Sequence, residues 1–252
     1  MSAQIAAPAA VPARYRGVWV RTLLEAPGVH DTTTYVRWMQ TNRWHADLRV
    51  PESARGNPTE TVHLAQQLGF CGETDVSTTD REVCTWHRRL DFQPPGLTPD
   101  AGTMVFKTAD QVIEEGVHGK YLEVWERLPG SEGRAIALAG RSTHGQDSGE
   151  RLLVAGNYLM RVRPRAAPWP PHTAAGTPLS ALVALHPDHA QAWLDFEISF
   201  GVWDGSTYVI ERSSLPVLER QRIPLQIRRK GDQASMLVGA APSQWQVLDW
   251  LD

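Results

Sequence analysis

The sequence predicts an all-β protein made of antiparallel barrels. Three observations support this fold class: the pair Gly17-x-Trp19 opens the first strand-like run, short alternating runs recur along the chain, and helical patterns are few. A glycine at that position lets the chain bend sharply, and the indole that follows can plug one end of a barrel. Many short strands without interleaved helices must close on themselves or stack.

Turn residues separate runs of alternating, β-branched or aromatic residues along both halves of the chain. In the first half, strands are predicted over 15–24, 32–41, 45–51, 67–77, 82–92, 102–108 and 119–128. In the second half, they are predicted over 134–140, 150–163, 178–185, 192–203, 206–213, 222–229 and 244–250. Helical spacing covers 59–68, capped by Asn57 or Thr59, and 243–250 could alternatively form a short helix.

The turn-rich segment Pro129-Gly130-Ser131-Glu132-Gly133 predicts a boundary between two halves. We expect an N-terminal barrel over 14–130 and a C-terminal barrel half over 134–252. Residues 1–13 are rich in alanine and proline and lack a continuous apolar run, so they are predicted to be a disordered leader. Residues 164–178 contain five prolines and predict a long, stiff loop.

Composition excludes several classes of function. The 252 residues carry a formal net charge of −3, which argues against nucleic-acid binding. No apolar run is long enough to predict a membrane span, and we expect a cytoplasmic location. The chain has ten tryptophans, most of which should lie in a core or line a cavity. Cys71 and Cys84 should be free buried thiols, although a cross-strand disulfide stays open as an alternative.

Several stretches resemble a family of calycin-like proteins whose fungal members interact with a casein-kinase-type protein kinase, the Hrr-interacting protein family. The stretches that carry the resemblance occur in order: Arg16-Gly17-Val18-Trp19-Val20-Arg21-Thr22-Leu23-Leu24, Trp38-Met39-Gln40-Thr41, Ala46-Asp47-Leu48-Arg49-Val50-Pro51, Glu197-Ile198-Ser199-Phe200-Gly201 and Tyr208-Val209-Ile210-Glu211-Arg212-Ser213-Ser214-Leu215-Pro216. The chain departs from the family pattern at Val217-Leu218. The resemblance implies a pair of lipocalin-like barrels, and it supplies no catalytic residues.

Alternation along three strands predicts a set of side chains that face the interior of the first barrel. These are Trp19 and Arg21 from the first strand, Trp38 and Gln40 from the second, and Glu123, Trp125 and Arg127 from 119–128. In one interpretation they line a ligand cavity, with the indoles supplying apolar area and the polar groups reading the ligand. In the other they pair with each other and fill the barrel, with Arg127 stacked on Trp19 at its closed end.

Other candidate residues give weaker patterns. Asp47 and Arg49 share a face and predict an ion pair, while Asp47 with Glu123 could serve as an acid and a base. His87 is a further candidate in a calycin-type enzyme. The segment His186-Pro187-Asp188-His189 lacks an evident third ligand, so it does not predict a metal site. No cofactor and no catalytic residue is predicted for the chain.

The sequence therefore favours non-enzymatic binding of a small apolar or amphiphilic ligand in a barrel cavity. A protein–protein interaction module with filled barrels is the alternative, and a calycin-type enzyme ranks third. A large internal cavity lined by Trp19 and Trp38 would separate the first function from the second.

Overall fold

The computed structural model describes residues 9–56, 61–78, 80–238 and 241–252, with the side chains of 241 and 242 outside the description. These residues form two closed antiparallel barrels, which confirms the predicted all-β class. None of the described helices has the length and hydropathy needed to cross a membrane.

The first barrel is a ring of eight strands in up-and-down order, closed by pairing of its first and last strands. Its strands are β1 (Gly17–Ala26), β3 (Tyr35–Gln40), β4 (Trp44–Val50), β5 (Leu68–Ser77), β6 (Val83–Asp91), β7 (Asp100–Thr108), β8 (Gln111–Gly116) and β9 (Leu122–Arg127). A short strand, β2 (Val29–Asp31), pairs with the last residues of β1 and is not part of this ring. At the closing seam Trp19 pairs with Arg127 and Arg21 pairs with Trp125.

The second barrel also closes with eight strands. They are β10 (Ala135–Arg141), β11 (Asp147–Ala155), β12 (Tyr158–Arg163), β13 (Glu197–Trp203), β14 (Thr207–Ser213), β15 (Arg222–Lys230), β16 (Gln233–Val238) and β17 (Ala241–Leu251). The described residues also form three short α-helices, α1 (Thr61–Leu64), α2 (Leu179–Leu185) and α3 (Ala190–Leu194), and single 3-10 turns at Ala13–Tyr15, Glu52–Ala54, Pro187–His189 and Pro216–Leu218.

Four predicted elements differ from the structure. The single strand predicted over 150–163 is divided into β11 and β12 by a turn at Gly156 and Asn157. The strand predicted over 178–185 is helix α2, because Leu179, Leu182 and Val183 are buried at helical spacing. The strand predicted over 192–203 begins only at Glu197, after α3. The alternative helix over 243–250 is wrong, since these residues belong to β17 and pair with both β10 and β16.

Three strands, β2, β8 and β16, were not predicted, and helix α1 occupies only part of 59–68. The capping residues proposed for that helix, Asn57 and Thr59, lie outside the described residues. The leader prediction needs correction for residues 9–13. Val11 is buried in the first barrel and its N–H donates to the carbonyl of Asn42 at 2.7 Å.

Apolar side chains form three clusters. Aromatic residues fill the first barrel, and mainly aliphatic residues with Trp203, Tyr208 and Trp245 fill the second. The third cluster lies between the barrels, where the outer faces of β3 and β4 pack against those of β11 to β13 and against α2 and α3. The two barrels therefore share a continuous apolar interface.

The turn-rich segment 129–133 connects the barrels and is held against the β11–β12 turn. Gly130 O accepts from the N–H of Asn157 at 2.9 Å, and the hydroxyl of Tyr158 donates to Pro129 O at 2.9 Å. Ser131 is buried. The segment is thus a packed connection with many contacts.

Both cysteines are free and buried, as expected. Strand register explains why they do not meet, because Cys71 lies opposite Leu90 whereas Cys84 lies opposite Val76. Burial raises the pKa of the Cys71 thiol to about 12, and burial also raises that of Cys84. Neither thiol is therefore activated as a nucleophile.

Candidate functional site

The seven side chains predicted to face the interior of the first barrel are all buried, but they lie at different levels. Trp19 and Arg127 mark what we call the closed end. The guanidinium of Arg127 lies 4.3 Å from the centre of the Trp19 ring, as the sequence predicted. It also donates to the carbonyls of Arg14 and Ala109, each at 2.8 Å, and to that of Arg16. These contacts seal this end of the barrel.

Trp38 and Gln40 lie on β3, where Trp38 pairs with Trp19 and Gln40, the last residue of the strand, pairs with Gly17. The Trp38 ring stacks on Trp19 with ring centres 6.1 Å apart and meets Trp125 edge-on at 5.6 Å. The Gln40 side-chain oxygen accepts from the hydroxyl of Thr74 at 2.8 Å and from the indole of Trp38 at 3.3 Å. Its amide donates to two backbone carbonyls. Gln40 is therefore fully used in internal hydrogen bonds and is not free to read a ligand.

The opposite end, which we call the open end, carries a network of ion pairs. Arg21 donates to Glu123 at 2.7 Å and to Asp31 at 2.6 Å. Arg49 donates to Asp47 at 2.8 Å and lies 3.4 Å from Glu123. The ion pair expected between Asp47 and Arg49 is thus present, but it is buried, and burial raises the pKa of Asp47.

Glu114 on β8 is a buried carboxyl that lies beside this network. It accepts from the hydroxyl of Tyr121 at 2.7 Å and from the indole N–H of Trp125 at 3.0 Å. No arginine or lysine of the described chain lies within ion-pair distance of it. Burial, reinforced by the nearby charge of Glu123, raises the pKa of Glu114 to about 8. Gly102 on β7 leaves room for this side chain, because a Cβ atom there would lie 2.4 Å from Glu114 Cγ.

A small cavity of about 10 Å³ lies among these groups, which is room for about one water molecule. Its lining combines four aromatic rings, three carboxyl groups and one guanidinium: Trp38, Phe70, Trp86, Trp125, Asp47, Asp100, Glu114 and Arg49. The rest of the barrel interior is occupied by packed side chains.

A groove of about 470 Å³ lies outside the cavity and shares two walls with it, Trp86 and Asp100. Its other apolar walls are Pro95 and Pro99 from the β6–β7 loop and Trp169 from the second barrel's proline-rich loop. Arg88 stands at the border, 3.7 Å from the centre of the Phe70 ring and 2.7 Å from Asp100. A neighbouring groove of about 330 Å³ also has Arg88 and Asp100 among its walls.

The structure brings Arg21, Trp38, Glu123 and Trp125 to the region around the cavity, and it places Trp19 and Arg127 at the far end. Sequence reasoning missed Glu114, because the strand that carries it was not predicted. Its signal was the alternation of Val112 and Glu114, both buried, with exposed Glu115 on the other face. The groove walls Arg88, Asp100 and Trp169 were also missed, since loops from distant segments bring them together.

The remaining candidates have simpler roles. Asp47 and Glu123 are both held by Arg49, so each carboxylate already has a cation partner. His87 is exposed and lies along the groove. The rings of His186 and His189 pack on Trp193, and no cluster of three ligands suited to a metal ion occurs in the described residues.

Comparison with known proteins shows a similar fold. The chain is similar to the crystal structure titled "uncharacterized protein YLR301w" from Saccharomyces cerevisiae, with a TM-score of 0.59 and 11% sequence identity. The match covers 94% of this chain and 99% of the yeast chain, so it includes both barrels. No family model matches the sequence, and no curated protein matches it. At this level of identity the likeness shows the fold alone.

Proposed function

We propose that this protein binds a small amphiphilic ligand, without catalysis, in the groove at the open end of the first barrel. One observation carries the proposal: the groove of about 470 Å³ adjoins a cavity that is lined by both aromatic and charged side chains. Binding sites for small molecules typically span about 300–1,000 Å³ and combine apolar walls with a few placed polar groups. Here Trp86, Pro95 and Trp169 supply the apolar walls.

The packed interior explains why the groove is the better location. The cavity that Trp38 and Trp125 help to line holds about 10 Å³, which is too small for an apolar ligand. A ligand with a polar end could still reach this cavity from the groove, since Trp86 and Asp100 belong to both. We also propose that the barrels are calycin-like and lipocalin-like and that the chain is related to the Hrr-interacting protein family. A cytoplasmic location is proposed as well.

Titration calorimetry with three six-carbon probes tests the proposal: hexylamine, hexanol and hexanoate. At least one probe should bind, and Gly96→Phe should weaken its binding at least tenfold. Gly96 lines the groove, and a Cβ atom there would meet only Thr98 O, at 3.9 Å, so a larger side chain can enter the groove without disturbing the fold. Val217→Phe is the matched control, because Val217 is exposed and lies in the second barrel. Absence of binding for all three probes, or equal binding to the Gly96→Phe protein, would overturn the proposal.

A protein-interaction module is the second candidate, and the packed interiors of both barrels favour it. Leu97, on the loop beside the groove, is 81% exposed and offers an apolar contact for a partner. If none of the three probes binds, this candidate becomes the better one.

A further inference from the structure

The cavity at the open end is lined by more carboxyl groups than cations. Three carboxyl groups line it, from Asp47, Asp100 and Glu114, against the single guanidinium of Arg49. Arg49 is already engaged by Asp47 and Glu123, and Asp100 is engaged by Arg88. Among the described residues Glu114 is the carboxyl of this set that has hydrogen-bond donors but no cation.

The size and walls of the cavity suit one particular cation. A space of about 10 Å³ holds a group no larger than a water molecule, which fits an ammonium head and excludes a guanidinium or a ring. The indole rings of Trp38, Trp86 and Trp125 border this space, and an aromatic ring attracts a cation that lies over its face. The ammonium head can therefore replace water with carboxylate and aromatic contacts.

We propose that the ligand of the first barrel is a primary alkylammonium ion, with its –NH3⁺ group in the cavity beside Glu114 and its carbon chain in the groove. This inference rests on the proposed function and names the chemical class of the ligand. The chain would leave the cavity between Trp86 and Asp100, the two residues that belong to both spaces. Pro95 and Trp169 would then cover its apolar part.

Binding should be coupled to loss of a proton from Glu114. With a pKa near 8, this carboxyl is mostly protonated at pH 7, and an adjacent ammonium ion favours its ionised form. The ammonium should therefore bind more tightly as the pH rises from 6.5 to 9, a range in which an alkylamine stays charged. The titratable and charged groups around Glu114 that contribute to its environment are Asp47, Arg49, Cys84, Asp100, Tyr121 and Glu123.

The same three probes decide the ligand class with the wild-type protein alone. Hexylamine should bind at least tenfold more tightly than hexanol, and hexanoate should bind most weakly. If hexanol or hexanoate binds as tightly as hexylamine, and Gly96→Phe still blocks it, the ammonium inference fails while the proposed function stands. If no probe binds, the proposed function fails as well.

A pair of neighbouring variants then locates the ammonium head. Glu114→Gln should remove the preference for hexylamine and flatten its pH dependence, whereas Glu115→Gln should change neither. Glu115 is the matched control because it follows directly on the same strand but is exposed on the opposite face. An unchanged preference and pH dependence in a folded Glu114→Gln protein would overturn the assignment of the head to this cavity.

Discussion

At the scale of single residues, Arg127 shows what alternation along a strand can and cannot predict. Facing positions and the Gly-x-Trp pattern predicted that this arginine would stack on Trp19, and the two lie 4.3 Å apart. The pattern did not indicate the three backbone carbonyls to which the guanidinium donates, because these belong to turns outside the strands. Arg127 therefore stabilises the closed end through hydrogen bonds as well as through its cation–π contact.

Two substitutions at the closed end should each lower the stability of the protein. Trp19→Ala should lower the free energy of unfolding by about 3–5 kcal/mol, the usual cost of removing a large buried aromatic side chain. Arg127→Met should cost about 1–3 kcal/mol, because it keeps the stem but removes the hydrogen bonds to three backbone carbonyls. Urea unfolding followed by circular dichroism measures both. A loss near zero for Arg127→Met would contradict the role of its hydrogen bonds.

Glu114 should make the stability of the protein depend on pH. Its pKa of about 8 lies above the value of an unfolded glutamic acid, so the folded state binds more protons between these two values. The contribution of Glu114 to the free energy of unfolding should therefore be greatest below about pH 4.5. It should fall as the pH rises towards 8, by a few kcal/mol at most. Burial gives Asp47 a contribution of the same sign.

Comparison of the wild type with Glu114→Gln isolates this effect. Urea midpoints measured from pH 5 to 9 should fall less steeply in the variant, whatever its absolute stability. Parallel profiles for the two proteins would show that Glu114 ionises normally in the folded state.

At the scale of elements, the sequence predicted the first barrel better than the second. Strands β1, β3 and β4 have clear alternation and distinct turns, and the side chains predicted to face the interior from β1 and β3 are buried. Strand β8 was not predicted because one of its interior-facing residues is Glu114, and a glutamate in a sequence normally indicates an exposed position. Helix α2 was predicted as a strand because a short run of Leu, Ala and Val fits either period, and packing against the inter-barrel cluster selects the helix.

In the pairing of β7 with β8, Gly102 lies opposite Gly116, and the buried side chain of Glu114 crosses over this glycine. Gly102→Ala would place a Cβ atom 2.4 Å from Glu114 Cγ, so the side chain or the strand must shift. We expect a loss of about 1–3 kcal/mol, typical of overpacking, and weaker hexylamine binding. Gly119→Ala is the control, since its nearest neighbour, Tyr121, would lie at an ordinary 3.6 Å. Equal thermal midpoints and equal hexylamine affinities for the two variants would contradict this account.

At the scale of the whole molecule, the two barrels behave as one packed body. Gly69 on the first barrel approaches the second so closely that a Cβ atom there would lie 2.6 Å from Ile198 Cδ1. Arg165 joins the barrels from the other side. It stacks on Trp169 at 4.1 Å and donates to the carbonyls of Asp91 and Phe92. These contacts also fix Trp169 as a wall of the groove, so the proposed site depends on both barrels.

This shared interface predicts that the barrels unfold together. Ile198→Ala would leave a cavity in the inter-barrel cluster and should cost about 2–5 kcal/mol, with a single unfolding transition. Fluorine NMR of 5-fluorotryptophan protein follows each barrel separately. The folded-state signals of Trp38 and Trp125 report on the first barrel, and that of Trp245 reports on the second. All three should disappear at the same urea concentration, and Ile198→Ala should lower that concentration equally for all of them.

Val202→Ala is the matched control, because Val202 lies four residues further along the same strand and on the same face but is 46% exposed. It should leave the urea midpoints of both barrels unchanged. Two separate transitions in the wild type would show that the barrels are independently stable and that the interface contributes little to either one.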